Sequence, residues 1–208
     1  MSINNKILEK IKNDISYKNT KLLIVTKTRS QEDIKQLIKM GYSDFAENRV
    51  QEAQEKFIDI IPNKDIKLNL IGPLQSNKVK QALNLFDTIQ SVDREKIVNE
   101  LAKHLDISSR TKNFYIQINI GEEPQKSGVI PSDFETFYQY CMSKKLKISG
   151  IMCIPPQNED PRPFFEEMNK IKNSINEELT LSMGMSSDYK TALDHHTDEI
   201  RIGSLIFS

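Results

Sequence analysis

Short apolar runs and amphipathic stretches alternate along the chain from residue 21 onward. The runs KLLIVTK (21–27), YSDFAE (42–47), IKLNLIG (66–72), DTIQSV (87–92), KNFYIQINI (112–120), LKISGIMCI (146–154), LTLSMG (179–184) and EIRIGSLIF (199–207) read as strands. Between them lie segments with apolar residues at helical spacing: SQEDIKQLIKMG, NRVQEAQEKFIDII, SNKVKQALNLF, DREKIVNELAKHLD, PSDFETFYQYCMSKK, FFEEMNKIKNSINEE and SSDYKTALDHH. Local signals mark helix ends. Ser30 can cap the first helix, with Asp33 at the capping-box position and Gly41 beyond its end. Pro62 stops the second, and Asp93 is placed to cap the fourth. Ahead of the first strand, Ile3, Ile7, Leu8, Ile11 and Ile15 share one helical face, so a leading helix within residues 1–18 is expected to pack on the body.

Eight strands separated by helices predict a (β/α)8 barrel of the TIM type with one extra helix in front. An open doubly wound sheet would show the same periodicity. No composition shift or long linker breaks the series, so residues 1–208 read as a single domain.

Bulk chemistry narrows the class. Twenty-nine basic residues balance 29 acidic ones, so the net charge is zero, which argues against a nucleic-acid backbone as the main partner. No apolar run is long enough for a membrane span, and the N-terminal stretch lacks a signal peptide's apolar block. Cys141 and Cys153 have no metal-ligand spacing and read as reduced thiols of a cytoplasmic protein. His104, His195 and His196 make no metal set.

Candidate chemistry sits where the strands end, because barrel sites form at the C-terminal rim. The first strand runs into Lys27, a side chain costly to bury. At a barrel mouth, desolvation and nearby cations would lower its pKa, and a neutral amine can attack a carbonyl. A lysine snorkelling at a strand end is the plain alternative. LSMGMSSD places Gly184 and Ser186 after the seventh strand, and IRIGS places Gly203 and Ser204 after the eighth, where barrels often bind phosphate. Ordinary turn chemistry would use the same residues. Arg201, between two isoleucines, needs either a carboxylate partner or an acceptor on a bound molecule. An imine-forming lysine, a phosphate cup and an arginine beside a ring nitrogen together describe pyridoxal 5′-phosphate.

The stretches IVTKTRS, DFAENRVQEA, LIGPLQSNKVK, QINIGEEPQKSGV, GIMCIPP, LSMGMSSD and IRIGSLIF, in that order, resemble the pyridoxal phosphate homeostasis proteins, the YggS/PROSC family. The resemblance implies a fold type III barrel similar to the N-terminal domain of alanine racemases. It implies that Lys27 holds pyridoxal phosphate as a Schiff base and that Asn48 lies beside it. Ser186, Gly203 and Ser204 would bind the phosphate, and Arg201 would face the pyridine nitrogen. Lys126, in PQKSG, matches a family lysine and is either an auxiliary amine or a solvated loop residue. Lys78 and Lys80 read as surface charges. The sequence departs from the family pattern at Arg29, Ala46, Leu68 and Asn69. Family members are regarded as carriers in vitamin B6 homeostasis, so a monomeric, cytoplasmic, non-enzymatic protein is expected, with cofactor-dependent apoenzymes as transient recipients. No segment matches the second domain of alanine racemases, which supplies their opposing tyrosine. The alternatives are a slow amino-acid racemase with Lys27 as base and a Schiff-base aldolase acting on a phosphorylated sugar.

Overall fold

The computed structural model describes residues 3–106 and 109–207. The first two residues of the expected leading segment therefore lie outside the described residues. The chain runs α1 (Asn5–Ser16), β1 (Lys21–Val25), α2 (Gln31–Lys39), β2 (Asp44–Glu47), α3 (Val50–Phe57), β3 (Lys67–Leu70), α4 (Val79–Leu85), β4 (Thr88–Val92) and α5 (Glu95–His104). It continues through β5 (Asn113–Ile118), α6 (Phe134–Ser143), β6 (Ile148–Cys153), α7 (Arg162–Ile175), β7 (Thr180–Ser182), α8 (Tyr189–Asp194) and β8 (Glu199–Ile202). The strands follow chain order around a closed parallel barrel. Closure comes from β1 against β8, with Lys21 opposite Glu199 and Ile24 opposite Ile202. The (β/α)8 fold is thus observed, and the open sheet is excluded.

The layer between strands and helices is apolar. Phe45, Phe57, Phe86, Phe114 and Phe165 are fully buried there with the aliphatic faces of the helices. Helix α1 contributes Leu8 and Ile11. It is tied down by Asn4 N–H to the Ile206 carbonyl at 2.8 Å and by the Tyr189 hydroxyl to Asp14 at 2.9 Å.

Local signals acted mostly as the sequence implies. Ser30 caps α2, and Asp33 returns the bond to the Ser30 N–H, completing the capping box. Asp93 does not cap α5. The N-cap position is Arg94, and the Asp93 carboxylate is held by that guanidinium at 2.6 Å instead. Several strands are shorter than their apolar runs. β8 stops at Ile202 because the chain folds back, with Ile206 N–H donating to the Gly203 carbonyl at 2.9 Å.

The interior of the barrel is unusual. Such interiors are commonly filled by branched apolar side chains, but here the apolar part is a small cluster of Leu23, Val25 and Ala46 against Ile71. Met152 is also fully buried outside the helix-facing cluster, and much of the remainder is polar. Ser182 Oγ donates to Gln90 at 2.8 Å, Gln90 Nε2 donates to Glu199 at 3.2 Å, and the Tyr115 hydroxyl donates to Glu199 at 2.8 Å. These bonds join strands that are not neighbours in the sheet, so they cross the interior. Asn69, one of the departures from the family pattern, joins this set by accepting from Gln90 at 3.4 Å and donating to the Phe45 carbonyl at 3.1 Å.

Candidate functional site

A cavity of about 770 Å³ opens at the C-terminal rim, and Lys27, Asn48, Ser186, Arg201, Gly203 and Ser204 all line it. Residues separated by up to most of the chain are brought together by closure of the barrel.

Lys27 lies two residues beyond β1, in a turn closed by Arg29 N–H to the Thr26 carbonyl at 3.0 Å. The side chain is exposed at the rim. The desolvation expected for it is therefore not met, because the turn carries it past the strand end where burial was assumed. Thr28, the third residue of this turn, has φ +63°. A type II turn demands that left-handed conformation there, and for a β-branched residue it is strained.

Asn48 follows β2 directly. Its backbone is fixed by close approach of the chain after β3: a Cβ on Gly72 would stand 2.2 Å from the Asn48 carbonyl oxygen. Only glycine lets the two strand ends come this near.

The turns after β7 and β8 supply donors. Among the described residues, the N–H groups of Ser186, Ser187 and Ser204 donate to no protein acceptor. Gly184, at φ +96°, makes the first turn possible. Helix α8 is only six residues long, so these turn N–H groups rather than a helix dipole favour an anion. Two acidic residues of the lining, Asp188 and the exposed Glu159, oppose it. The Asp188 carboxylate is engaged by the Met185 N–H at 2.6 Å.

Arg201 is 3% exposed and is held from beneath. Nη1 donates to the Ser182 carbonyl at 2.6 Å and to Ser182 Oγ at 2.8 Å, and Nη2 donates to the Cys153 carbonyl at 2.7 Å. Burial pushes its pKa down, with Cys153 and Glu199 opposing that shift. These three bonds leave Nε unused. The polar chain Tyr115–Glu199–Gln90–Ser182 thus ends on a guanidinium that faces the cavity.

Lys126 is neither a solvated loop residue nor a free amine. It lines the same cavity half-buried, donates to the Pro155 carbonyl at 3.1 Å and pairs with Glu123. Among the described residues no group of three or more histidine, cysteine or acidic side chains is arranged to hold a metal. Nor is any described helix long and apolar enough to cross a membrane.

Sequence reasoning missed the groups behind the Lys27 turn. Glu47, fully buried, ends β2 and points away from the barrel interior toward α3, where Lys56 meets it at 2.5 Å. A signal existed: a buried strand ending in a carboxylate is the same anomaly as one ending in lysine, and Glu52 and Lys56 stand four residues apart on α3.

Comparison with known proteins bears on this geometry. Residues 6–208 match the family model for the alanine racemase N-terminal domain. The chain is 33% identical over 196 residues to the pyridoxal phosphate homeostasis protein of Aquifex aeolicus, covering 90% of this chain and 86% of that protein. It is 34% identical over 224 aligned positions to the protein of the same name from Buchnera aphidicola, covering 100% of this chain and 96% of the other. Among solved structures it resembles PipY of Synechococcus elongatus at 27% identity. The form without PLP superposes with TM-score 0.89, covering 98% and 99% of the two chains. The form with PLP bound gives TM-score 0.83 and covers 97% and 100%.

Proposed function

Because the chain belongs to the pyridoxal phosphate homeostasis proteins, a family built on the alanine racemase N-terminal domain, we propose that it binds pyridoxal 5′-phosphate and serves vitamin B6 homeostasis. In this reading residues 1–208 act as one unit. The observation that carries it is the convergence of an amine, unpaired N–H donors and a buried guanidinium on one cavity.

The cofactor is held as a Schiff base on Lys27. Ser186, Gly203 and Ser204 hold the phosphate through turn N–H groups and hydroxyls. Asn48 would stand beside the ring, and Arg201 would serve its nitrogen. Bound pyridoxal phosphate supplies an electron sink, and an arginine at its ring nitrogen weakens that sink because arginine does not give up its proton. No tyrosine lines the cavity among the described residues, and the interior Tyr115 is committed to Glu199. Holding and releasing the cofactor, rather than turning over amino acids, is the reading these features support. Release to apoenzymes and a monomeric, cytoplasmic protein belong to the same proposal.

Titration with pyridoxal phosphate, followed by loss of the free aldehyde's absorbance, tests this. Ser186→Ala should weaken binding by roughly 1–3 kcal/mol, the cost of a lost hydrogen bond to a charged group. Pyridoxal without its phosphate should bind less well. Equal affinity for the two aldehydes would sink the phosphate assignment. A sugar rather than a pyridoxyl group fixed by borohydride would make the protein an aldolase.

A further inference from the structure

The turn that carries Lys27 is gripped from outside the barrel by an ionic cluster of the Glu47, Glu52 and Lys56 side chains. Lys56, 8% exposed on α3, donates to the Thr26 carbonyl at 2.7 Å. It also meets Glu47 Oε1 at 2.5 Å and Glu52 Oε1 at 2.9 Å. Glu47 Oε1 accepts the Thr26 hydroxyl at 2.6 Å. Glu52 Oε1 accepts the Thr28 N–H at 2.5 Å. Both neighbours of Lys27 are therefore fixed to the same three side chains, and Thr28 is kept at φ +63°.

Two features say that this cluster serves geometry more than stability. First, left-handed threonine is strained and persists only where surroundings enforce it. The Glu52 bond to the Thr28 N–H is the enforcing contact. Second, a buried ion pair is a poor source of stability, since apolar residues of similar size do as well or better. Here the cost is visible, because Glu47 Oε2 is buried without a hydrogen-bond partner. Burial accordingly pushes the Glu47 pKa up against the opposing pull of Lys56 and Thr26. A cluster so expensive, aimed at the two residues that flank one lysine, is accounted for by control of where that lysine points.

We infer that Lys56, clamped by Glu47 and Glu52, is a positioning residue that aims the Lys27 amine into the cavity. The inference rests on the functional reading above, in which Lys27 is the covalent anchor. Its effect is on the rate of attack, since a misplaced nucleophile loses the benefit of a prepared geometry.

The test compares wild type, Lys56→Arg and the apolar double variant Glu47→Leu/Lys56→Met. Replacing both buried partners avoids stranding a buried charge, and it leaves the partly exposed Glu52 without the ammonium that holds its carboxylate against the Thr28 N–H. Each protein is mixed with pyridoxal phosphate, quenched with borohydride at intervals and mapped by mass for the pyridoxyl group. Amide exchange at Thr28 is read in parallel without the aldehyde. The double variant should keep its melting temperature yet lose exchange protection at Thr28, and label Lys27 at least about tenfold more slowly. Lys56→Arg, which keeps the charge and donors, should restore much of the rate. Equal Lys27 labelling rates in wild type and a folded double variant would overturn the inference alone. A wild type labelled only at other lysines would overturn the functional reading and this inference with it.

Discussion

At the scale of single residues, the buried ionisable groups give the sharpest expectations. Burial holds Glu199 above its ordinary carboxylate value of 4.5, with the Tyr115 hydroxyl, Lys21 and Arg201 pulling the other way. A carboxyl with a raised folded pKa binds its proton more tightly folded than unfolded. Its contribution to stability is thus present below the unfolded pKa and lost as pH rises through the folded one. Glu199→Gln removes that titration and keeps a carbonyl for Tyr115. Its melting temperature relative to wild type should climb as pH rises above the ordinary carboxylate value, and a flat difference would contradict the assignment. Cys141 and Cys153 are buried, and burial pushes both thiols up to about 12. Neither should react with a disulfide reagent in the native protein, and both should react once it is unfolded. Prompt reaction in the native state would show an opening of the β6 or α6 region.

At the scale of elements, the junctions matter more than the elements themselves. The close approach of the chain after β3 to Asn48 predicts that Gly72→Ala forces backbone apart. A cost of roughly 1–3 kcal/mol is expected, together with weaker cofactor binding through displacement of Asn48. A variant of native stability and affinity would show that the two strand ends move freely. Ser30→Ala, which opens the capping box of α2, should cost about 1 kcal/mol in denaturant unfolding and leave the cavity unchanged. The same scale shows what a sequence reveals. Apolar periodicity located every strand, since burial on both faces leaves a dense apolar run. It overran their ends, as at β8, because apolar residues continue into the turn that follows Gly203. It also let Asp93 pass for a cap, because side-chain type says nothing of a stronger partner one residue away.

For the whole molecule, barrel closure is what converts scattered motifs into a site. Lys27, Ser186, Gly203 and Ser204 stood out because they follow strands that share one rim, Arg201 because it interrupts an apolar strand, and Asn48 only through the family resemblance; all six line one cavity. What was not legible depends on contacts between elements that no spacing encodes. The polar chain from Tyr115 through Glu199, Gln90 and Ser182 to Arg201 crosses between non-adjacent strands. The Lys56 cluster joins α3 to the ends of β1 and β2. Both place a charged side chain of the cavity under the control of groups outside it. The exposure of Lys27 was likewise invisible in the sequence, since it follows from a turn whose third residue adopts a conformation threonine rarely takes.

The most direct measurement is the site of covalent attachment. Protein incubated with pyridoxal phosphate is reduced with borohydride, digested and mapped by mass. A pyridoxyl group on the peptide containing Lys27, absent from a Lys27→Ala protein, is the predicted result. A wild type that carries the group on Lys126 instead, or on no lysine of the rim, would contradict the account.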